Sequence, residues 1–280
     1  MLIFFSIKKD CLGIVWHENF CYNSVANDER LEMPFCFSIW MTSLLYISVT
    51  RERRDLLMSL QSSSYEGQKA VFLGDSITFG YGLQEREHPY PELVSSALGF
   101  QSYENHGISG SSVADGGIEP MCNRIGQMHA EADVILFMGG RNDFSSGTTA
   151  FGDIGTSPNS KNTFYGALRH IAEGLMQRYP TKLIVFLTPP HGSSEAVPED
   201  LPNTVTGRIY SDYVGAIREV AALYSIPVCD LWNIAGIQPL LPVHKDLYFT
   251  GDNGVPDGLH PNQAGHERLA SRIVGFLKSL

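Results

Sequence analysis

The chain has 280 residues, 43% of them apolar, and carries 20 Lys and Arg against 30 Asp and Glu, a formal charge of −10. That length can bury a sizeable core in one large domain, with or without an appendage. Charged residues at 18% and aromatics at 11% exclude a long disordered chain, and the negative balance excludes a nucleic-acid polyanion as the main partner. Five Cys without paired short spacing carry no zinc-ribbon or redox signature.

The first 57 residues differ from the rest. Three of the five Cys (Cys11, Cys21, Cys36) and two of the three Trp (Trp16, Trp40) precede Met58. Met1 to Asp10 is too short for a secretory signal and has its charges on the wrong side. Met33 to Thr50 is uncharged and mostly apolar, and Arg51-Glu52-Arg53-Arg54 follows, so residues 33–50 read as a weak membrane anchor. Against that stand Pro34 and five diluting Ser and Thr. The preferred expectation is that residues 1–57 are an extension, translated from upstream DNA. Arg51-Glu52-Arg53-Arg54 back-translates to a purine-rich ribosome-binding sequence three codons before Met58. Residues 58–280 then form the working domain, with 14 Lys/Arg, 23 Asp/Glu and only Cys122 and Cys229. That pattern fits a reducing, cytoplasmic compartment.

From residue 68 on, strand and helix patterns alternate. Ala70–Leu73 is a short apolar strand before Gly74, and Pro91–Leu98 a helix with Pro in its first turn. Gln101–Asn105 reads as a strand and Ile118–Ala130 as a helix. Ala132–Met138 is a strand, Thr163–Tyr179 a helix stopping before Pro180, and Lys182–Leu187 a strand stopped by Thr188-Pro189-Pro190. Tyr210–Tyr224 is a helix and Ile226–Leu231 the last strand. Asn262 caps a final helix whose Leu269, Ile273, Val274 and Leu277 face inward. Strands alternating with helices of this size predict an α/β fold, a parallel sheet covered on both faces. Its site lies beyond the carboxyl ends of the strands, just after Leu73, Asn105, Met138, Leu187 and Leu231.

Polar motifs stand at those ends. Gly74-Asp75-Ser76-Ile77-Thr78 puts a Ser on a tight strand-to-helix turn. By itself it also fits an ordinary helix cap, and no Lys follows to make a phosphate loop. Asn105-His106-Gly107-Ile108-Ser109-Gly110 follows the second strand and Gly139-Gly140-Arg141-Asn142-Asp143 the third. Near the end, Asp257-Gly258-Leu259-His260 spaces a carboxylate and an imidazole so that they can lie side by side. The acid can hold one ring nitrogen and leave the other to face a nucleophile. Each motif is weak alone; four in order are a strong signal.

These blocks resemble those of the SGNH hydrolases, the GDSL family of esterases and lipases, from about Gln68 to the C-terminus. The family's four residues map to Ser76, Gly110, Asn142 and His260, and its Gly-Asp-Ser-Leu reads Gly-Asp-Ser-Ile here. Gly110 rather than Gly107 follows from counting five residues from Asn105, as the family pattern does. The resemblance implies a flavodoxin-like three-layer α/β/α sandwich with a five-stranded parallel sheet, a Ser76–His260–Asp257 triad and no cofactor. It implies an oxyanion hole from the N–H groups of Ser76 and Gly110 and the Asn142 amide. A His base must be neutral, so activity is expected to rise with pH, at or above the ~6.5 of an ordinary imidazole.

The remaining polar residues are expected to be structural. Asp75 should hold the turn, Arg141 and Asp143 should form structural pairs, and His106, His191, His244 and His266 lack metal-ligand spacing. Asp252-Asn253-Gly254 resembles a calcium loop only faintly, so no metal is expected. The Gly/Ser/Thr-rich stretch from Phe144 to Asn162 should wall the site. With Phe79 and Tyr81, Phe144 and Phe151 are expected to offer an aromatic platform for a sugar. No run of exposed aliphatics suggests a lipid lid. The expected substrate is therefore a short acyl ester, such as an acetyl group on carbohydrate. The alternatives are a lipase or lysophospholipase on longer chains, or a non-catalytic binding module on the same fold.

Overall fold

The computed structural model describes residues 65–280, apart from 147–148, 194–201 and 252–254. The expectations for residues 1–57 and for Asp252-Asn253-Gly254 lie outside the described residues.

Five strands form the predicted parallel sheet, four of them apolar and one edge strand polar. They are β1 (Lys69–Gly74), β2 (Ser102–Gly107), β3 (Val134–Met138), β4 (Leu183–Leu187) and β5 (Val228–Cys229), in the order β2-β1-β3-β4-β5. The chain starts in β1, moves out to β2 and returns past β1 to β3, so the order reverses at β1. A crevice opens at such a switch point beyond the strand ends. The register aligns those ends: Gly74 pairs with Gly107, Leu73 with Phe137, and Met138 with Leu187.

Alternate residues of β1, β3 and β4 enter opposite cores. Val71, Leu73, Ile135, Phe137 and Phe186 meet α4 (Phe164–Arg178) and α5 (Tyr210–Leu223) through Leu168, Ile171, Leu175, Tyr213 and Ile217. Phe72, Val134, Leu136, Val185 and Leu187 meet α2 (Tyr90–Leu98) and α8 (Gln263–Leu277) through Val94, Leu98, Leu269 and Ile273. Each such side chain contributes about 1.5–3 kcal/mol when fully buried, which holds three layers together. The caps are local. The Thr163 hydroxyl accepts from Gly166 N–H, and the Asn262 side chain accepts from Gly265 N–H, as its position before the last helix predicts.

The strand-to-helix turn read at Ser76 opens the short α1 (Ser76–Phe79), while three further short helices were not legible in the sequence: α3 (Arg141–Ser146), α6 (Leu231–Ile234) and α7 (Pro242–Tyr248). They are too short for a 3.6-residue period to register. The helix expected over Ile118–Ala130 is instead two 3₁₀ turns, Met121–Asn123 and Ile125–Gln127. Pro120 and Gly126 disfavour a continuous helix there, and the Arg124 side chain turns back toward the strand ends. The last strand is shorter than expected because Pro227 has no N–H to give and Asp230 already flanks α6.

Candidate active site

The turn after β1 is built by Asp75 and closed by Gly80. The Asp75 carboxylate accepts from Ile77 N–H at 3.0 Å, which starts α1 at Ser76. One turn later Gly80 takes φ 90, a conformation that favours glycine, and its N–H bonds to Ser76 O. The result is a nucleophile-type turn with Ser76 at its first helical position.

His260 and Asp257 arrive from the loop before α8. Thr250 grips this loop twice, donating to His260 O and accepting from Asp257 N–H, each at 2.8 Å. Asp257 Oδ1 accepts the backbone N–H groups of Leu259 (2.7 Å) and His260 (2.8 Å). Its Oδ2 lies 2.6 Å from His260 Nδ1, and His260 Nε2 lies 3.1 Å from Ser76 Oγ. Burial alone would raise the Asp257 pKa. The imidazole and the two backbone N–H groups outweigh it and hold the carboxyl below its ordinary value. The structure thus brings Ser76, His260 and Asp257, far apart in sequence, into one hydrogen-bonded chain.

The other two blocks meet beside it. Asn142 stands in the first turn of α3 and its amide donates to Ser111 O at 2.9 Å, next to Gly110, whose φ is 78. Asp143 is fully buried and clamps the same loop, accepting from Val113 N–H at 2.8 Å and Ala114 N–H at 2.9 Å. Burial pushes Asp143 up to about 6 against the pull of those two donors, and Asp75 likewise to about 6. Asp75 therefore holds the turn, as expected. Asp143 has the structural role expected of it, and Arg141 does not pair with it. Asp143 binds backbone, while the Arg141 guanidinium carbon stands 4.9 Å over the Tyr210 ring and 5.7 Å over Phe144.

Two of the four expected aromatic contacts are corrected. Phe144 and Phe151 are only 7% and 9% exposed. Phe144 stacks on Tyr210, and Phe151 packs on Phe164 and Tyr213, over α4 and α5. Rings in a Gly-rich loop gain more from the adjacent core than from water, and each buries a large apolar area there. Phe79 and Tyr81 are 56% and 42% exposed, and the Tyr81 ring centroid is 4.6 Å from that of His260.

Arg124 was not singled out from the sequence. It is fully buried and its guanidinium donates to Gly74 O, His106 O, Ser111 Oγ and Glu119 O, between 2.7 and 3.1 Å. One side chain ties the end of β1, the end of β2 and the loop beside Gly110. A lone Arg among glycines gives no signal of this, because its partners are backbone carbonyls. His266 is also structural: buried, accepting from Tyr90 N–H, and pushed by burial to about 4. Among the described residues no cluster of His, Cys, Asp or Glu could hold a metal ion.

Three of these blocks follow strand ends and the fourth lies in the loop before α8, the arrangement that the resemblance implies. The GDSL-like lipase/acylhydrolase family model matches residues 72–268, and the chain belongs to that family. It is similar to an acetylxylan esterase of Xylanibacter ruminicola, 23% identical over 87% of this chain and 50% of that protein. The chain thus spans about half the length of that relative. A solved protein from Lactobacillus plantarum is 30% identical, covering 76% of this chain and 98% of its own, with a TM-score of 0.66. A possible lipase from Chitinophaga pinensis is 20% identical, covering 76% of this chain and 98% of its own, with a TM-score of 0.54.

Proposed function

We propose that the protein removes short acyl groups, acetyl above all, from a carbohydrate ester, with Ser76 as nucleophile, His260 as base and acid, and Asp257 as its partner. The observation that carries this reading is the chain from Ser76 Oγ through His260 to Asp257 at 3.1 and 2.6 Å. In the first half-reaction Ser76 Oγ bonds to the ester carbonyl carbon and its proton passes to His260 Nε2. The carbon–oxygen bond to the alcohol breaks, and His260 returns the proton to that alcohol. In the second half, water adds to the acyl-enzyme by the same route and the free acid leaves. The depressed Asp257 carboxylate stays charged and stabilises the imidazolium. The N–H groups of Ser76 and Gly110, with the Asn142 amide hydrogen not given to Ser111, receive the oxyanion. Losing one such donor typically costs about 3–4 kcal/mol of barrier, so Asn142→Ala should slow turnover on the order of 10²-fold or more.

The alcohol leaves on the side of Tyr81 and Phe79, whose exposed rings suit stacking on a sugar. The resemblance to an acetylxylan esterase supports the acetyl assignment. Buried, unpaired Cys122 and Cys229 support a reducing compartment. Among the described residues no helix is long and apolar enough to cross a membrane.

The test is a panel of esters of one alcohol with acyl chains from acetyl to dodecanoyl, kept below micelle formation, with Ser76→Ala as blank. Acetyl should be turned over fastest. Faster turnover of the long chains would replace the reading with a lipase, and wild-type turnover by Ser76→Ala would remove the serine mechanism. In this reading residues 1–57 play no part in catalysis, so a chain starting at Met58 should retain full activity.

A further inference from the structure

Arg124 takes no part in the steps above, yet its guanidinium is bonded to the loops of two expected oxyanion donors and reaches the third through one residue. Its Nη2 donates to Gly74 O at 3.1 Å, two residues before Ser76, and to Ser111 Oγ at 2.8 Å, one residue after Gly110. The Ser111 carbonyl in turn accepts from the Asn142 amide at 2.9 Å. Nη1 donates to His106 O at 2.7 Å and Nε to Glu119 O at 3.0 Å. The turn after β1, the loop after β2 and the start of α3 therefore meet at one rigid, planar group.

Two features show that this junction is kept against a cost. Arg124 is only 2% exposed, and none of its four acceptors is a carboxylate. Asp75 and Glu119 offset part of its charge through space, while burial opposes the charged form. Glu119 lies at φ 37, in the left-handed region where a residue other than glycine is strained. Such strain persists only where the surroundings over-determine the backbone. Here the Glu119 carbonyl accepts from Arg124 Nε and from the Ser111 hydroxyl, the latter at 2.7 Å. Apolar contact would tie these loops without a buried cation. What the guanidinium adds is direction, because its in-plane donors fix the distance and angle between the segments it joins. An oxyanion hole needs that: its donors must stand about 2.7–3.1 Å from the point where the oxyanion forms.

We propose that Arg124 is a positioning residue for the oxyanion hole. It sets the spacing between the N–H groups of Ser76 and Gly110 and, through Ser111, aligns the Asn142 amide with them. It touches no reacting atom. The proposal rests on the serine-esterase reading and adds to it what holds the three donors on one point before substrate arrives.

The test is steady-state hydrolysis of ethyl acetate by the wild type, Arg124→Lys, Asn142→Ala and the double variant, with thermal melting to give the folded fraction. Lysine keeps the charge and loses the planar fork. Per folded molecule, Arg124→Lys should lower kcat on the order of 10²-fold, the effect of a displacement of about 1 Å, with KM within about threefold of wild type. The double variant should fall short of the product of the two single losses by at least about tenfold, because both changes act on the same set of donors. Ser111→Ala removes only the hydroxyl between the guanidinium and the loop and keeps the carbonyl that accepts from Asn142. It should lower kcat about tenfold with KM unchanged, and it replaces Arg124→Lys in the same cycle if that variant does not fold. A kcat within twofold of wild type in the variant used overturns the proposal. So do single losses that multiply in full, as those of a residue needed only for folding would. Both outcomes leave wild-type hydrolysis, and with it the esterase reading, intact. No hydrolysis by the wild type overturns the esterase reading and this proposal with it.

Discussion

Two strand-to-helix turns face each other across the candidate site, and they use the same parts differently. The turn after β1 has a buried Asp75 before Ser76 and aromatic residues at 79 and 81. The turn after β3 has Asn142 before a buried Asp143 and aromatic residues at 144 and 151. Both acids are raised to about 6 by burial. The first turn stops after four helical residues at Gly80 and leaves Phe79 and Tyr81 exposed, Tyr81 beside His260. The second runs on into α3 and carries Phe144 and Phe151 into the α4–α5 core. Distance in sequence from a reactive residue does not make an aromatic ring part of a site. The direction in which the backbone leaves the turn decides it.

The comparison is broken most directly at the nucleophile. Ser76→Ala should lower kcat on the order of 10⁶-fold while the melting temperature stays within a few degrees of wild type. Steady-state kinetics and thermal melting on the same preparation check both halves. A protein that melts much earlier would mean that the serine also holds the turn.

The second turn should answer to stability instead. Phe151→Ala should destabilise the fold by about 3–5 kcal/mol, from the lost ring and the cavity it leaves. Denaturant unfolding measures this, and kcat/KM per folded molecule should remain within about twofold of wild type. A specific loss of kcat/KM with unchanged stability would restore Phe151 to the site.

The two buried acids separate next. Asp75 ordinarily titrates at 3.8 and is raised to about 6 in the fold. Between those values the unfolded chain gives up its proton first, so the folded state holds more protons and stability falls as pH rises through that window. Asp75→Asn keeps an oxygen for Ile77 N–H and removes the charge. Between pH 4 and 7 it should avoid a loss on the order of 3 kcal/mol that wild type suffers. Asp143 uses one oxygen for each of two backbone N–H groups, so Asp143→Asn would set an NH₂ against a donor and should destabilise at every pH. Melting curves from pH 4 to 7 test the pair; identical pH slopes for wild type and Asp75→Asn would rule out the assignment.

The smallest effect belongs to Tyr81. Tyr81→Ala should lower kcat/KM for a sugar ester several-fold more than for ethyl acetate, with stability within about 0.5 kcal/mol, as for an exposed side chain. Equal loss on both substrates would make the ring a support for the imidazole rather than a platform.

The sequence alone determined the parallel α/β architecture, because buried strands must be continuously apolar and long helices must show their period. It also singled out Ser76, Asn142, Asp257 and His260 as the proposed reactive set, because such chemistry admits few residue types in these motifs. The tertiary structure decided what depends on direction and on backbone partners. It turned Ile118–Ala130 into two 3₁₀ turns around a buried Arg124. It buried Phe144 and Phe151 in the α4–α5 core, and it set the Arg141 guanidinium over the Tyr210 ring beside Asn142. A residue's type says what bonds it can make. Only the fold fixes which carbonyl, ring or open space lies in front of it, because those neighbours come from segments tens to hundreds of residues away.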